Sequence, residues 1–295
     1  MTAVPLLHVS PTQFDTFANP EHGCPRKWWF QRVMRMPKVM RDSAARGTVL
    51  HAVLERWFKA SADGTDPATG APVDLYPAGW QRHEEAGKTY EMPIGEQGLL
   101  MQLVQSAIEQ GIILRYPDVR VEESFQRDFD DLPVRIVGKR DITYAAGVED
   151  VKTSKSRRYA KSPKKLHEDS QLLIYSYDWF QSLLDKGAPV PERIEVAHNF
   201  FCFDPADLLV KKIRPLTPIT YASARQFWDG PLHRAAEQML QLLEVKDWAQ
   251  TPDPVGARAC QAFGGCPFTS ICTMRESPER YRSRFDNAAA FKVDY

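Results

Sequence analysis

The sequence predicts a mixed α/β fold, a central sheet of mixed direction flanked by helices. Helical hydrophobic spacing runs to about Arg115, the period then drops to two between Val119 and Thr153, and helix and strand patterns alternate from there to Trp248. No internal repeat or low-complexity linker divides the chain, so 1–295 reads as one domain. Its parts are a helical stretch over 1–115, a sheet core over 116–216, and a C-terminal helix with a cysteine cluster over 217–295.

Each element has a local reason. Ser10-Pro11-Thr12-Gln13 predicts a helix start, with a Ser cap, Pro at the first helical position and Gln three residues past the cap. Pro20 and Gly23 interrupt, and Pro25 opens a second helix through Trp28, Trp29 and Val33. The paired tryptophans suit a core, with stacking on single-stranded bases as the alternative. A third helix over about 43–62 carries the stripe Leu50, Leu54, Trp57 and Phe58, with His51 at its edge. A loop rich in Gly, Pro, Asp and Thr follows, and helical pattern resumes over about 95–115. Val119, Val121, Phe125 and Phe129 then alternate with polar residues in a strand, and Glu123 shares their inward phase. Strands over 134–144 and 148–153 join through Ala145-Ala146-Gly147. A helix over 168–186, strands over 194–203 and 210–215, and a long helix over 219–248 complete the pattern.

Composition excludes several classes. With 43% hydrophobic and 26% charged residues the chain is not wholly disordered. No apolar run approaches the roughly 20 residues of a membrane-spanning helix. Met1–Ser10 lacks the basic start and apolar stretch of a secretory signal, so a soluble, cytoplasmic protein without membrane partners is expected. Ala86-Gly87-Lys88-Thr89 imitates a phosphate-binding loop, but Arg82 stands where its first glycine belongs and no strand precedes it. Neither Gly-x-Ser-x-Gly nor His-Glu-x-x-His occurs, so serine hydrolase and zinc peptidase chemistry lack a starting point.

Candidate chemistry gathers in Gly138-Lys-Arg-Asp141 and Glu149-Asp150-Val151-Lys152. Residues two apart in a strand share a side, so Asp150 and Lys152 project together while Glu149 and Val151 face away. An even-numbered hairpin loop sets Asp141 opposite Asp150; an odd loop that includes Gly147 shifts the register. Carboxylates held that close repel unless a cation lies between them. A hard divalent ion is the natural occupant, and an exposed charged hairpin is the plainer alternative. Gln171 and Tyr175 share one face of a helix, and His51 follows Gly47 on another.

The 38 basic and 38 acidic residues balance, yet 152–165 holds seven basic residues and no acidic one. Such a segment attracts a polyanion locally, or is simply a solvated loop. Five cysteines, an odd number, argue against a disulfide framework. Cys202, between Phe201 and Phe203, suits a core. Cys24, Cys260, Cys266 and Cys272 suit a structural zinc or an iron–sulfur cluster, with unliganded thiols as the remaining reading. No CxxC turn, usual in zinc knuckles, is present.

The ordered set His51, Asp141, Asp150-x-Lys152 and Gln171-x-x-x-Tyr175, with these cysteines, resembles the RecB-like branch of the PD-(D/E)XK nuclease superfamily, including the CRISPR-associated RecB-type exonucleases. Asp-x-Lys alone is unspecific; the full order extends from Ser10 to Cys272. The resemblance implies a restriction-endonuclease-like core with an N- and C-terminal helical cap tied by a metal cluster. It implies His51, Asp141, Asp150 and the Val151 carbonyl as ligands of Mg²⁺ or Mn²⁺, and Lys152 as the catalytic lysine. Gln171 and Tyr175 then orient that lysine and contact the DNA backbone. Glu123 is either a further metal ligand or a buried structural carboxylate. The resemblance also implies a four-iron four-sulfur (4Fe-4S) cluster on Cys24, Cys260, Cys266 and Cys272, with zinc as the alternative occupant, although the gap after Cys260 is longer than the family's. The implied activity is exonucleolytic, on single-stranded or duplex DNA ends, in repair, recombination or phage DNA processing. A recombination or repair protein is the implied partner, and Lys155, Arg157, Arg158, Lys161, Lys164 and Lys165 would hold the DNA backbone. A structure- or sequence-specific endonuclease and a non-catalytic DNA-end-binding protein are the rival readings.

Overall fold

The computed structural model describes residues 6–37, 42–85, 87–262 and 265–286. In chain order its elements are β1 (Leu7–Val9), α1 (Pro11–Ala18), α2 (Pro25–Arg32), α3 (Asp42–Lys59), β2 (Arg82–Glu85), β3 (Lys88–Glu91), α4 (Ile94–Glu109), β4 (Arg120–Asp128), β5 (Val134–Tyr144) and β6 (Gly147–Ser154). There follow α5 (Pro163–His167), α6 (Ser170–Asp185), β7 (Arg193–Cys202), β8 (Leu209–Ile213), β9 (Ile219–Thr220), α7 (Tyr221–Phe227), α8 (His233–Leu243), α9 (Thr269–Cys272) and α10 (Pro278–Asp286). The chain forms two compact units, one from Met1–Met40, Gln126–Gly138 and Gln226–Tyr295, the other from Arg41–Phe125 and Lys139–Arg225. The strands β4 and β5 are divided between them.

In the first unit, Ser10 Oγ accepts from the Gln13 N–H at 3.2 Å and caps α1 as its sequence predicts. At α2 the cap is Cys24, whose sulfur accepts from the Lys27 N–H at 3.3 Å. Trp28 and Trp29 are buried, and the Trp29 indole N–H donates to the Val245 carbonyl at 3.0 Å, so these rings are core and not a stacking surface. β1, too short to be legible as a strand, pairs in parallel with the first residues of β5, Leu7 against Val134. The long helix expected over 219–248 is not continuous. Pro231 lacks the N–H that would continue the ladder, and Trp228–Leu232 forms a π-helical segment between α7 and α8.

The second unit is built on mixed sheet pairing: β5 with β6 antiparallel, β6 with β7 parallel, β7 with β8 antiparallel. Tyr144 pairs with Gly147, so Ala145-Ala146 is a two-residue loop and the even register applies. At Gly147 a side chain has no room, since a Cβ there would fall 2.2 Å from the Glu195 carbonyl oxygen. Val151, Ile142 and Phe201 pack against Val49, Leu50 and Val53 of α3 and Leu100, Leu103 and Val104 of α4. Lys152, on the alternate face of β6, reaches α6, so helices cover both faces of the sheet. Contrary to the sequence reading a strand, β2, does precede Gly87-Lys88-Thr89, but β3 and not a helix follows, with Gly87 at φ 73°, so the phosphate-binding strand-loop-helix is not formed. None of the described helices is long and apolar enough to cross a membrane.

Candidate active site

At Gly47 α3 runs against β6, where a Cβ would stand in ordinary contact with Thr153 Oγ1, at 3.5 Å. One turn on, His51 Nδ1 lies 2.8 Å from Glu122 Oε1 and 3.7 Å from Asp141 Oδ1. Among the described residues these three form the metal-competent group, with one donor atom from each and all donors within 4.8 Å. Leu54, Phe58, Val121 and Ile142 supply apolar walls to the pocket in which they stand. Low polarity there strengthens every charge interaction. Burial alone would lower the His51 imidazole, but the Asp141 and Glu122 carboxylates outweigh it and raise its pKa to about 9. Asp141 is pushed up by burial and the Asp150 charge, against the pull of His51.

Glu122 is a member of this group that the sequence reading did not offer. Glu122 has φ 52°, a left-handed conformation that interrupts strict alternation along β4. Glu123 keeps the phase of Val121 and Phe125, and of its two readings the structure favours the structural carboxylate. Glu123 instead binds Arg120 and the buried Arg140, whose Nη1 also lies 2.9 Å from Asp178 Oδ2. The sequence missed Glu122 because backbone alternation was the sole guide; a left-handed glutamate inside a strand carries no local signal. The other oxygen of Glu122 lies 3.1 Å from Lys139 Nζ.

Lys152 occupies the adjacent position. Its Nζ is 2.7 Å from Asp150 Oδ2 and donates to Gln171 Oε1 at 2.8 Å, while Gln171 Nε2 donates to the Tyr175 hydroxyl at 2.7 Å. Burial would favour neutral Lys152, yet Asp150 and Asp141 raise its pKa and keep it charged. Burial likewise pushes the Tyr175 phenol up, with the two aspartates adding to it. Asp150, fully buried, stands across the parallel ladder from His198, whose Nε2 lies 3.5 Å away. Asp141 Oδ2 accepts from the Val151 N–H at 2.6 Å, which ties β5 to β6 just beyond the Ile142–Glu149 pair. Glu149 turns away as expected and binds Lys212, Asn199 and Tyr116.

The basic segment is less free than its composition suggests. Lys155 pairs with Glu96 and Arg157 with Asp207, both distant in sequence, and Lys161 pairs with Asp169, eight residues on. Arg158, Lys164 and Lys165 are exposed. In the other unit Cys24, Cys260, Cys266 and Cys272 are free thiols, and no three of their sulfurs lie within 4.8 Å among the described residues. Cys202 is buried in β7, as expected for a core residue.

This mixed sheet, flanked by helices, carries crowded carboxylates beside a charged lysine. The sequence pattern of the PD-(D/E)XK nuclease superfamily matches residues 8–273, and the chain belongs to that superfamily. Among solved structures it is similar to one from Eubacterium rectale named "Putative exonuclease", at 10% identity, 86% coverage of each chain and a TM-score of 0.49. It is also similar to SSO0001, at 14% identity, 92% coverage of this chain, 87% of the other, and a TM-score of 0.39. A search of the curated proteins found no match.

Proposed function

We propose that the protein hydrolyses DNA phosphodiester bonds from strand ends and depends on Mg²⁺ or Mn²⁺. The observation that carries the reading is the convergence of His51, Glu122 and Asp141 beside a lysine fixed by Asp150 and Gln171. The donor set fits a divalent ion: two carboxylates and an imidazole, with mutual repulsion of the carboxylates that a cation relieves. Asp150 has neither oxygen in an aligned hydrogen bond and has acceptor capacity for a further contact to the same ion. An ion bound there supplies a Lewis acid for the phosphate and a water of lowered pKa.

The chain's own groups do the rest. Lys152 neutralises charge that builds on the phosphate as the bond breaks. Gln171, braced by Tyr175, holds the ammonium in place, and Lys139 presents a second cation at the rim. Action at ends rather than internally rests on the likeness to RecB-type exonucleases, as does a role in repair, recombination or phage DNA processing with a protein partner.

The cysteine site belongs to the same proposal. Burial pushes the Cys272 thiol up to about 11, and Cys266, Cys24 and Cys260 stand near enough to act on it electrostatically. Four Zn–S bonds in a tetrahedron would bring the sulfurs to about 3.8 Å from one another. The choice of a 4Fe-4S cluster over a single zinc on Cys24, Cys260, Cys266 and Cys272 rests on the likeness to RecB-type nucleases. Cys272→Ala then loses bound iron and thermal stability together; unchanged iron content and melting would remove the cluster.

The deciding experiment incubates anaerobically purified protein with end-labelled single-stranded and duplex DNA and with closed circles, in Mg²⁺, Mn²⁺ or chelator. Metal-dependent loss of linear forms alone, abolished by Lys152→Ala, establishes an exonuclease. Cut circles mean an endonuclease, and binding without cleavage means an end-binding protein.

A further inference from the structure

The ion pairs of the basic segment fix its backbone and leave one aromatic ring outside them. Lys155 Nζ lies 2.8 Å from Glu96 Oε1 and Arg157 Nε 3.0 Å from Asp207 Oδ2, while Lys161 is held by Asp169, the cap of α6. Three cations are thus neutralised internally, and the segment is tied at three points. Between the ties a 3₁₀ turn, Arg157–Tyr159, presents Tyr159 at 55% exposure. No other Phe, Trp or Tyr among the described residues is so exposed. Arg158 backs the ring, with its guanidinium carbon 4.9 Å from the ring centroid and Nη2 donating to the phenol oxygen at 2.9 Å. Leaving such a ring in water forgoes roughly 1.5–3 kcal/mol of burial.

We infer that Tyr159, backed by Arg158, is a stacking site for an unpaired nucleobase, so that the DNA strand held by this segment is single-stranded. The choice of DNA rests on the proposed nuclease reading. Every base offers a π-face, whereas bases inside a duplex are already stacked on one another and closed to a surface ring. The guanidinium adds cation–π attraction and a donor for phosphate. A ring pinned by its neighbour, on backbone tied by three ion pairs, gives up little entropy when a base arrives.

Fluorescence anisotropy in chelator tests this with wild type, Tyr159→Ala, Tyr159→Phe and Tyr159→Trp. The probes are a single strand, a blunt duplex and a single strand of abasic sites, which keeps the phosphates and lacks the bases. Tyr159→Ala should weaken the ordinary single strand about 5- to 150-fold. The duplex and abasic strand should be unaffected, and Phe and Trp should retain tight binding. Equal losses on all three probes, or no loss on any, would overturn the stacking site. Cleavage in Mn²⁺ is scored separately on the wild type. Cleavage with Tyr159-independent affinity removes the stacking site alone, whereas Tyr159-dependent base binding without cleavage removes only the nuclease reading.

Discussion

Glu122 and Glu123 are neighbours in sequence with opposite jobs in the structure, and exchanging each carboxylate for an amide separates those jobs. Glu122 contributes to a donor group that spans less than 4.8 Å, so Glu122→Gln removes a charge from the point where a cation would sit. Unit charges 4 Å apart at an effective dielectric of 20 interact by about 4 kcal/mol, and a divalent ion at bonding distance feels more. After desolvation is offset, a loss of at least about 100-fold in metal affinity is expected, or about 2.7 kcal/mol. At a Mn²⁺ concentration about 100 times the wild-type Kd, wild type gains about 2.7 kcal/mol on binding and the variant only about 0.4. Without metal, Glu122→Gln should cost about 1.5–3 kcal/mol, because its bond to His51 is charge-assisted and little exposed, whereas the Lys139 partner is 44% exposed and adds little. Glu123→Gln should leave the metal affinity intact and cost only stability. Its bond to exposed Arg120 contributes little, but the one to Arg140, 3% exposed, is charge-assisted, and together they contribute about 2 kcal/mol. Calorimetric Mn²⁺ titration and denaturant unfolding with and without metal read both effects. Normal Mn²⁺ affinity in Glu122→Gln, or a metal defect in Glu123→Gln, refutes the assignment and restores strict alternation along β4.

Three other outcomes follow from the geometry. Gln171→Ala should lower kcat about 10- to 100-fold, since it frees the Lys152 ammonium; steady-state kinetics on a labelled strand decides. Lys212→Met leaves Glu149, 1% exposed, without its cation and should cost about 3–5 kcal/mol in urea unfolding, most of it recovered by adding Glu149→Gln. Gly147→Ala should destabilise by about 3 kcal/mol or more, measured the same way, because its Cβ would fall 2.2 Å from the Glu195 oxygen.

Local rules made much of this molecule legible. Period-two alternation on β6 separates Asp150 and Lys152 from Glu149, and the side chains do part that way. Helical spacing put Gln171 and Tyr175 on one face, and they are hydrogen-bonded to each other. Even the hairpin register reduced to a choice between two loops. What escaped depends on information that no local window holds. Glu122 needs a left-handed backbone that only tertiary packing sustains. The acids that quench the basic segment, Glu96, Asp207 and Asp169, come from three separate elements. The polar hairpin β2–β3 carries no apolar alternation to betray it, with Arg82, Glu84 and Glu85 facing solvent. Pro231 was visible, but the strength of the flanking helical pattern concealed the break it makes.

The strand that carries Asp150 and Lys152 reaches its final neighbours at different times during synthesis. Its hairpin with β5 closes across two residues and forms as soon as both strands leave the ribosome. The opposite edge pairs in parallel with β7 and stays open until α5, α6 and Arg193–Cys202 have been made. Through that interval a strand that is buried in the finished fold presents unpaired N–H and C=O groups to other nascent chains. Truncations that stop before Arg193 keep the edge open permanently, and they should aggregate rather than yield a smaller soluble protein.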